Sequence, residues 1–337
     1  MNLLAVETSC DETAAAVLRD GRELISSVVA SQVDLHARYG GVVPELAARA
    51  HLDAIAPTVD EALQPVGGWD GVDAVAVTRG PGLIGSLLVG TAYAQSAALA
   101  RGLPITGVSH LAGHVYSAML ADPELQPPYL ALVVSGGHTD CVVLRDHGDA
   151  VRLAATRDDA VGEAFDKVAR MLGLAYPGGP AVQRAAEDGD ASRFPLPRTR
   201  LEDSFSFSGL KTAVRYAVRD LGPEQLDERG VPVDPQVVAD LAAAFQRAAV
   251  DQLVGGLEQA LERSGADRIA VVGGVAANAP LRDAVRERFA GLRVVIPPLR
   301  HCTDNAAMIA VAGWHRLQVR GADQPGFEVD PGLGEFA

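Results

Sequence analysis

Lysine is nearly missing from this chain: Lys167 and Lys211 stand against twenty-seven arginines in 337 residues. A guanidinium does not fit every pocket that holds a compact ammonium, so each surviving lysine is a candidate for a tight site, with chance retention as the alternative. Cysteine is scarce too. Cys10, Cys141 and Cys302 make neither a paired framework nor a close metal spacing, which predicts reduced thiols in a cytoplasmic protein. No apolar run reaches the roughly 18 residues of a membrane span, and the first residues read as a strand rather than a signal peptide. No Walker A sequence occurs, so this is not a P-loop enzyme. Position 111 is Leu, where a zinc protease needs its glutamate directly after the first histidine. Short-period repeats and low-complexity segments are absent.

Positive charge is also in deficit. A net charge of −14 excludes a protein that grips nucleic acid with its whole surface. One stretch runs against that trend: Arg193, Arg198, Arg200, Lys211, Arg215 and Arg219 crowd together around Phe194, Pro195 and Pro197. It reads either as a phosphate-backbone contact or as a solvated arginine-rich loop. The 48% hydrophobic content describes an ordinary packed α/β protein, and the length allows two lobes, because single cores stop growing near roughly 250–300 residues.

What is present is one pattern written twice. Leu3–Val6, the turn Glu7-Thr8-Ser9-Cys10-Asp11-Glu12-Thr13 and Ala14–Leu18 form the first copy. Leu130–Val134, the turn Ser135-Gly136-Gly137-His138-Thr139-Asp140 and Cys141–Leu144 form the second. Each is an apolar strand, a small polar turn and an apolar return strand. Glycine and hydroxyl tips bring backbone N–H groups close to an anion. Two such tips predict a duplicated α/β lobe with a phosphate-bearing ligand between the copies; two ordinary buried hairpins are the plainer alternative.

Further along, strands are expected at Glu23–Ala30, Asp73–Thr78, Ile105–Ser109 and Arg268–Val272. Helices are expected at Pro44–Leu63, Ser86–Arg101, Ala160–Leu172, Lys211–Leu221, Pro235–Ser264 and Pro280–Phe289, with a last one ending near Arg320. Thr303 or Asp304 is the expected cap of that last helix. Tyr176–Pro180 reads as a loop, Pro195–Gly209 as irregular and Gly222–Asp234 as a surface loop. The Gly80–Gly85 turn between a strand and a helix presents N–H donors that suit an anion.

His110 and His114 stand four apart, on one face of a helix, a spacing that suits two imidazoles on one ion. Asp304, at the start of the final helix, is the expected third ligand. His138 at the second tip is a rival ligand or an anion contact, whereas His36, His51, His147, His301 and His315 read as structural. The glycine pairs Gly136-Gly137, Gly178-Gly179 and Gly273-Gly274 lie at strand or helix ends and suit convergence on a nucleotide, with Asn278 placed to read a ribose or base. Asp166 and Lys167 precede the second pair, where a surface ion-pair face is the alternative.

Taken together, Glu7–Thr13, Gly40–Glu45, Gly80–Leu83, His110 with His114, Val134–Thr139, Gly162–Lys167, Tyr176–Pro180, Phe205–Lys211, Gly273–Asn278 and Cys302–Asn305 resemble the tRNA N6-adenosine threonylcarbamoyltransferase family of bacterial type, once called the O-sialoglycoprotein endopeptidase or glycoprotease family. The resemblance covers nearly the whole chain, and both lysines fall inside its motifs. It implies the two-lobed actin, hexokinase and Hsp70 fold, a duplicated ribonuclease H-like architecture. Residues 1–115 with 305–337 would form a first lobe carrying the metal helix, and 116–304 a second carrying nucleotide loops.

The activity it implies is transfer of a threonylcarbamoyl group from threonylcarbamoyl-AMP to N6 of the adenosine 3′ of the anticodon, in tRNAs reading ANN codons, with release of AMP. His110, His114 and Asp304 would hold one divalent ion, iron being expected and zinc the alternative. Val133, Val134, Ser135, Gly136, Gly137, Asp166, Gly179 and Asn278 would hold the adenylate. Asp11 or Glu12 would position the donor or take the amine proton. The partners implied are tRNA, a paralogous lobe protein and a small ATPase, in the cytoplasm and without a membrane. Two residues depart from the family pattern. Ala112 stands where an acid is usual, two after the first histidine, and Gln183 where an aspartate is common. Those departures keep open a nucleotide-binding scaffold without turnover, while the hairpins are shared with a small-molecule kinase of the same fold class, in which the histidine pair and Asp304 would have no job.

Overall fold

A computed structural model describes residues 1–198 and 201–336, so Arg200 of the basic stretch lies outside the described residues. The strands are β1 Asn2–Glu7, β2 Glu12–Arg19, β3 Glu23–Ser31, β4 Ala74–Gly80, β5 Ile105–Ser109, β6 Tyr129–Val134, β7 Thr139–Asp146, β8 Asp149–Thr156, β9 Ser204–Phe205, β10 Arg268–Val272 and β11 Arg293–Val295. The helices are α1 Val33–Ala37, α2 Pro44–Leu63, α3 Ile84–Arg101, α4 His110–Tyr116, α5 Ala118–Ala121, α6 Val161–Met171, α7 Gly178–Ala186, α8 Ser208–Arg219, α9 Pro235–Ser264, α10 Ala279–Arg288 and α11 Ala306–Arg320.

Contacts divide the chain into two units. The first is Met1–Tyr129 with Leu144–Val151 and Pro297–Ala337; the second is Leu130–Val143 with Arg152–Ile296. The sequence boundaries at 115/116 and 304/305 differ from these. The chain rejoins the first unit at Pro297, where His301 and Cys302 become buried, and that puts Asp304 in the same unit as both histidines.

The first unit is built on a sheet of order β3-β2-β1-β4-β5. β1 pairs antiparallel with β2 and parallel with β4, and β4 pairs parallel with β5. Leu3 to Val6 are fully buried because helices cover both faces, which explains their unbroken apolar run. The period of two still sorts them. Leu4 and Val6 join Val17, Val75 and Val77 in a core with Ile55, Val59 and Leu63 of α2 and Ala94 and Ala98 of α3. Leu3 faces the other way, toward α11.

Gly313 of α11 lies so close to that second face that a Cβ there would stand 2.6 Å from Ala76 Cβ and 3.3 Å from Val108 Cγ2. Gly313→Val is therefore expected to push α11 off the sheet and cost about 1–3 kcal/mol. The urea midpoint would drop, and an unchanged midpoint would mean that the helix sits less tightly than described.

The second unit repeats the first. Its sheet order, β11-β10-β6-β7-β8-β9, becomes that of the first when β6, β7, β8, β10 and β11 replace β1, β2, β3, β4 and β5. β10 runs parallel to both β6 and β11. The duplication legible in the two hairpins thus extends through five strands. Phe165 of α6 meets Phe245 of α9 edge to face, with centroids 4.9 Å apart, at the centre of its helical layer.

Six elements exceed the sequence reading: β8, β9, β11, α1, α5 and α7. The Gly178-Gly179-Pro180 segment opens α7 instead of forming a loop, since proline is tolerated in a first turn where its missing N–H is not needed. Two donors of the Gly80–Gly85 turn are taken within the unit. Gly82 N donates to Pro331 O and Leu83 N to Ser9 O, so the turn is tied into the unit.

A buried histidine pair, an acidic tip and a glycine-lined strand end

In the first unit, parallel strands β1, β4 and β5 end side by side, the usual place for a site in an α/β sheet. β5 runs directly into α4, and Ser109 caps that helix by accepting from Ala112 N at 3.4 Å. His110 and His114 then fall on one face, with ring centroids 4.7 Å apart. Gly113 lies between them, and a Cβ there would come within 2.7 Å of Ile309 Cδ1, so its absence lets α11 approach. The segment leading into α11 carries Asp304. The cap of α11 is Asn305, whose side chain accepts from Met308 N at 3.0 Å; neither Thr303 nor Asp304 has that role. The correction matters because it leaves the Asp304 carboxylate for the histidines.

Asp304 Oδ1 stands 3.5 Å from His110 Nε2 and 3.3 Å from His114 Nε2. Two ligand atoms at bonding distance from one tetrahedral ion lie ~3.4 Å apart, given metal–nitrogen and metal–oxygen bonds of about 2.1 Å. Among the described residues, this is the one group of three His, Cys, Asp or Glu side chains whose ligand atoms lie within 4.8 Å of one another. His114 is fully buried, and neither of its ring nitrogens makes a hydrogen bond. Burying such a group unsatisfied is costly. Burial holds its pKa below the ordinary value, leaving a neutral ring with a lone pair to give. The donor set, spacing and orphaned ring therefore fit a divalent cation.

Glu7 supports this group and was not anticipated from the sequence. Its Oε2 stands 3.2 Å from His110 Nδ1, and Ser9 Oγ lies 3.0 Å from the same nitrogen. Thr78 Oγ1 and Ser9 N donate to the Glu7 carboxylate. A carboxylate on Nδ1–H turns the Nε2 lone pair outward, the arrangement that orients metal-binding imidazoles. Burial alone would lower the His110 pKa, but Asp304 and Glu7 raise it to about 9. Burial alone would raise that of Glu7, but His110 brings it below the ordinary carboxylate value. Ala112 is buried on α4, and the His110 ring is held by Glu7.

Asp11 and Glu12 at the first tip feel the same field. Burial, then the neighbouring carboxylates, raises both, Glu12 to about 8. Ser31 Oγ donates to Glu12 Oε1 at 2.9 Å, while Oε2 is buried with no hydrogen-bond partner. Four carboxylates and two imidazoles make a cluster in which acids outnumber bases. His36 and His51 are buried and hydrogen-bonded, and His147 stacks on His315, so these four pack or brace the unit. His301 is buried with Arg300 on its Nε2, and His138 lies in the other unit.

In the second unit, Val133 and Val134 end β6 beside the end of β10. Ser135 N donates to His138 O at 2.9 Å and closes the tip, while Gly162 N donates to Ser135 O and ties the tip to α6. Asp166, one turn along α6, accepts from Gly178 N at 2.7 Å and fixes the start of α7. A Cβ at Gly136, Gly137 or Gly179 would meet nothing within 4 Å, so these glycines leave open space where a ligand's phosphate can approach. Asn278 also makes bonds within its own unit. It caps α10 through Leu281 N at 3.0 Å and donates to Gln246 Oε1 at 2.8 Å, so its amide is already engaged. Gln183, the second departure, accepts from the adjoining Ala279 N at 2.9 Å.

The two lysines converge. Lys167 Nζ and Lys211 Nζ bind the two oxygens of Asp159 at 2.8 and 2.5 Å. Neighbouring Asp158 takes Ser206 Oγ, Ser208 Oγ and the N–H groups of Phe207 and Ser208. These acids pin the start of α8 against α6, with Lys167 Nζ also 2.7 Å from Glu163 Oε1.

By fold, the protein is one of the two-lobed actin and hexokinase class. The HypF of T. kodakarensis shares the fold with a TM-score of 0.67 at 14% identity, covering 94% of this chain and 48% of that one. The component A of (R)-2-hydroxyglutaryl-CoA dehydratase from Acidaminococcus fermentans does so with a TM-score of 0.52 at 15% identity, covering 94% and 99%. At such identities the likeness is one of fold alone. Sequence is more specific. The family of the tRNA N6-adenosine threonylcarbamoyltransferase, TsaD, matches residues 23–311. The tRNA N6-adenosine threonylcarbamoyltransferase of Anaeromyxobacter dehalogenans (strain 2CP-1 / ATCC BAA-258) is 52% identical over 336 residues, 98% of either chain. That of Gloeobacter violaceus is 51% identical over 320 residues, 94% of this chain and 90% of its own. The chain belongs to the tRNA N6-adenosine threonylcarbamoyltransferase family, a family of transferases, and the kinase alternative is not favoured. No helix among the described residues is long and apolar enough to cross a membrane.

Proposed function

We propose that this chain transfers a threonylcarbamoyl group from threonylcarbamoyl-AMP to N6 of the adenosine 3′ of the anticodon in tRNAs that read ANN codons. N6 attacks the carbamoyl carbon, the bond from that carbon to the phosphate oxygen breaks, AMP leaves, and the amine proton passes to a base. The observation that carries the reading is the buried His110–His114–Asp304 group, with its orphaned imidazole, in a chain of this family. Those three side chains would hold one divalent ion, iron in preference to zinc, which when bound supplies Lewis-acid polarisation of the carbonyl.

The remaining work falls to the chain. Glu7 fixes the His110 ring through Nδ1. Glu12, with one oxygen free of hydrogen bonds, would accept the amine proton in its ionised form, which its raised carboxyl pKa of about 8 makes more abundant as pH rises, and Asp11 beside it orients the donor. Val133–Gly137, Asp166 and Gly179 hold the adenylate, its phosphate against the open glycines. Asn278 contributes by fixing the start of α10 next to them. The partners are tRNA, a paralogous lobe protein and a small ATPase, and the setting is the cytoplasm.

The test is a transfer assay with tRNA, labelled threonine, bicarbonate, ATP and the donor-forming enzyme, run with and without the partner proteins. Label should enter tRNA in a form released as threonylcarbamoyladenosine. Retention of all label in the donor, with every partner present and iron restored, would overturn the reading.

A further inference from the structure

The basic stretch of the second unit is largely spent internally. Arg193 Nη1 binds the buried Asp240 at 2.7 Å, Arg198 Nε binds Asp251 at 3.0 Å, and Lys211 binds Asp159. These cations brace the fold, so the stretch as a whole is not a phosphate-binding band. What is left stands on the outer face of α8. Leu210, Val214 and Val218 bury the inner face. One turn of the outer face presents Arg215, Tyr216 and Arg219.

Tyr216 is 46% exposed in a chain with only 5% aromatic residues. The guanidinium carbons of Arg219 and Arg215 lie 4.7 and 5.7 Å from its ring centroid. Arg215 has no carboxylate partner among the described residues, and Arg219 meets Asp220 in a surface pair exposed on both sides. Pairs of that kind contribute little and open readily to a stronger anion.

We propose that Arg215, Tyr216 and Arg219 form a stacking platform for an unpaired nucleotide of RNA. The ring and the Arg219 plane would take the base face, and Arg215 would neutralise the adjoining phosphate. An aromatic side chain beside guanidinium groups is how proteins hold unstacked bases, and single-stranded nucleotides are what such surfaces bind. Charge selects the partner. An exposed patch with an uncommitted arginine is complementary to a polyanion, and the substrate class of this family is one. The inference rests on the proposed tRNA substrate but concerns residues other than those assigned to the reaction.

The test is tRNA affinity of the full chain with its partner proteins, measured without the donor so that no turnover enters. Tyr216→Ala should weaken binding about 10- to 100-fold, while Tyr216→Trp, which keeps a stacking face, should bind as the parent does. Arg215→Gln with Arg219→Gln should flatten the dependence of log affinity on log salt by about 0.7 for each phosphate that is no longer neutralised. Ultraviolet crosslinking of the parent should attach RNA to the peptide containing Tyr216. Unchanged affinity in Tyr216→Ala, with the same thermal midpoint as the parent, would overturn the platform. So would an unchanged salt slope in the double variant. Absence of transfer activity in the parent would count against the proposed reaction without touching this result.

Discussion

Replacing His114 with alanine is expected to leave a protein that folds, carries no stoichiometric metal and transfers no threonylcarbamoyl group. The expectation begins with charge. Glu7 and His114 are fully buried, Asp304 is about a quarter exposed, and Asp11 and Glu12 stand in the same field. A single protonated His110 does not balance these acids, whereas a divalent ion held by two imidazoles and a carboxylate would. Removing one imidazole takes away a third of the ligand set at the position where no hydrogen bond competes for the ring. Loss of Lewis-acid assistance is worth several kcal/mol of barrier, ~10³-fold or more in rate. Metal content by elemental analysis and transfer in the reconstituted assay are the readouts. His114→Asn, closer in volume, guards against a trivial collapse of the packing. Glu7→Gln separates support from ligation: it keeps the shape, weakens the hold on the His110 ring and should lower metal affinity about 10- to 100-fold without abolishing binding. Full transfer by metal-free His114→Ala would sink the proposed role of this group.

The parts of this site were unequally legible in the sequence, for physical reasons. His110 and His114 announced themselves because a helix puts positions four apart on one face, and the hairpins did so because apolar strands flank a small polar turn. Glu7 sits in the first hairpin motif, yet nothing local reveals its task, since its partner is 103 positions away in sequence. The same distance problem hid Asp159, which joins two lysines from different helices. Asp304 was found by type and position, but the cap was misplaced by one residue because Thr, Asp and Asn are all good caps and adjacent in the chain. Asn278 was expected to read a ligand; the sequence did not reveal that its side chain also caps α10 and donates to Gln246. α7 was lost because Gly-Gly-Pro is a breaker inside a helix and acceptable at its start. The basic stretch looked like one surface because sequence shows charge but not pairing; only the structure tells Arg193, held by Asp240, from Arg215.

Glu12→Gln is expected to move activity and stability in opposite directions. Transfer should fall about 10²- to 10⁴-fold if the carboxylate takes the amine proton. Stability should rise, and by more at high pH. Burial first, then the Asp11 and Asp304 charges, raises the folded-state pKa of Glu12 from 4.5 to about 8, so the fold favours the protonated acid. That contribution is fully present below about 4.5 and is lost as pH climbs through about 8, where the half-buried carboxyl must carry its charge in the folded state. Glutamine has no proton to lose, so the variant's advantage in urea midpoint should widen from pH 6 to pH 9 and then level off. A bound divalent ion offsets the Asp304 charge and lowers the folded pKa, so the widening should be smaller in metal-loaded protein. A residue kept where it strains the fold and speeds the reaction is the pattern expected of a catalytic acid or base. Equal midpoint differences at the two pH values would mean that Glu12 is not held up by its surroundings, and undiminished transfer would assign the proton to another group.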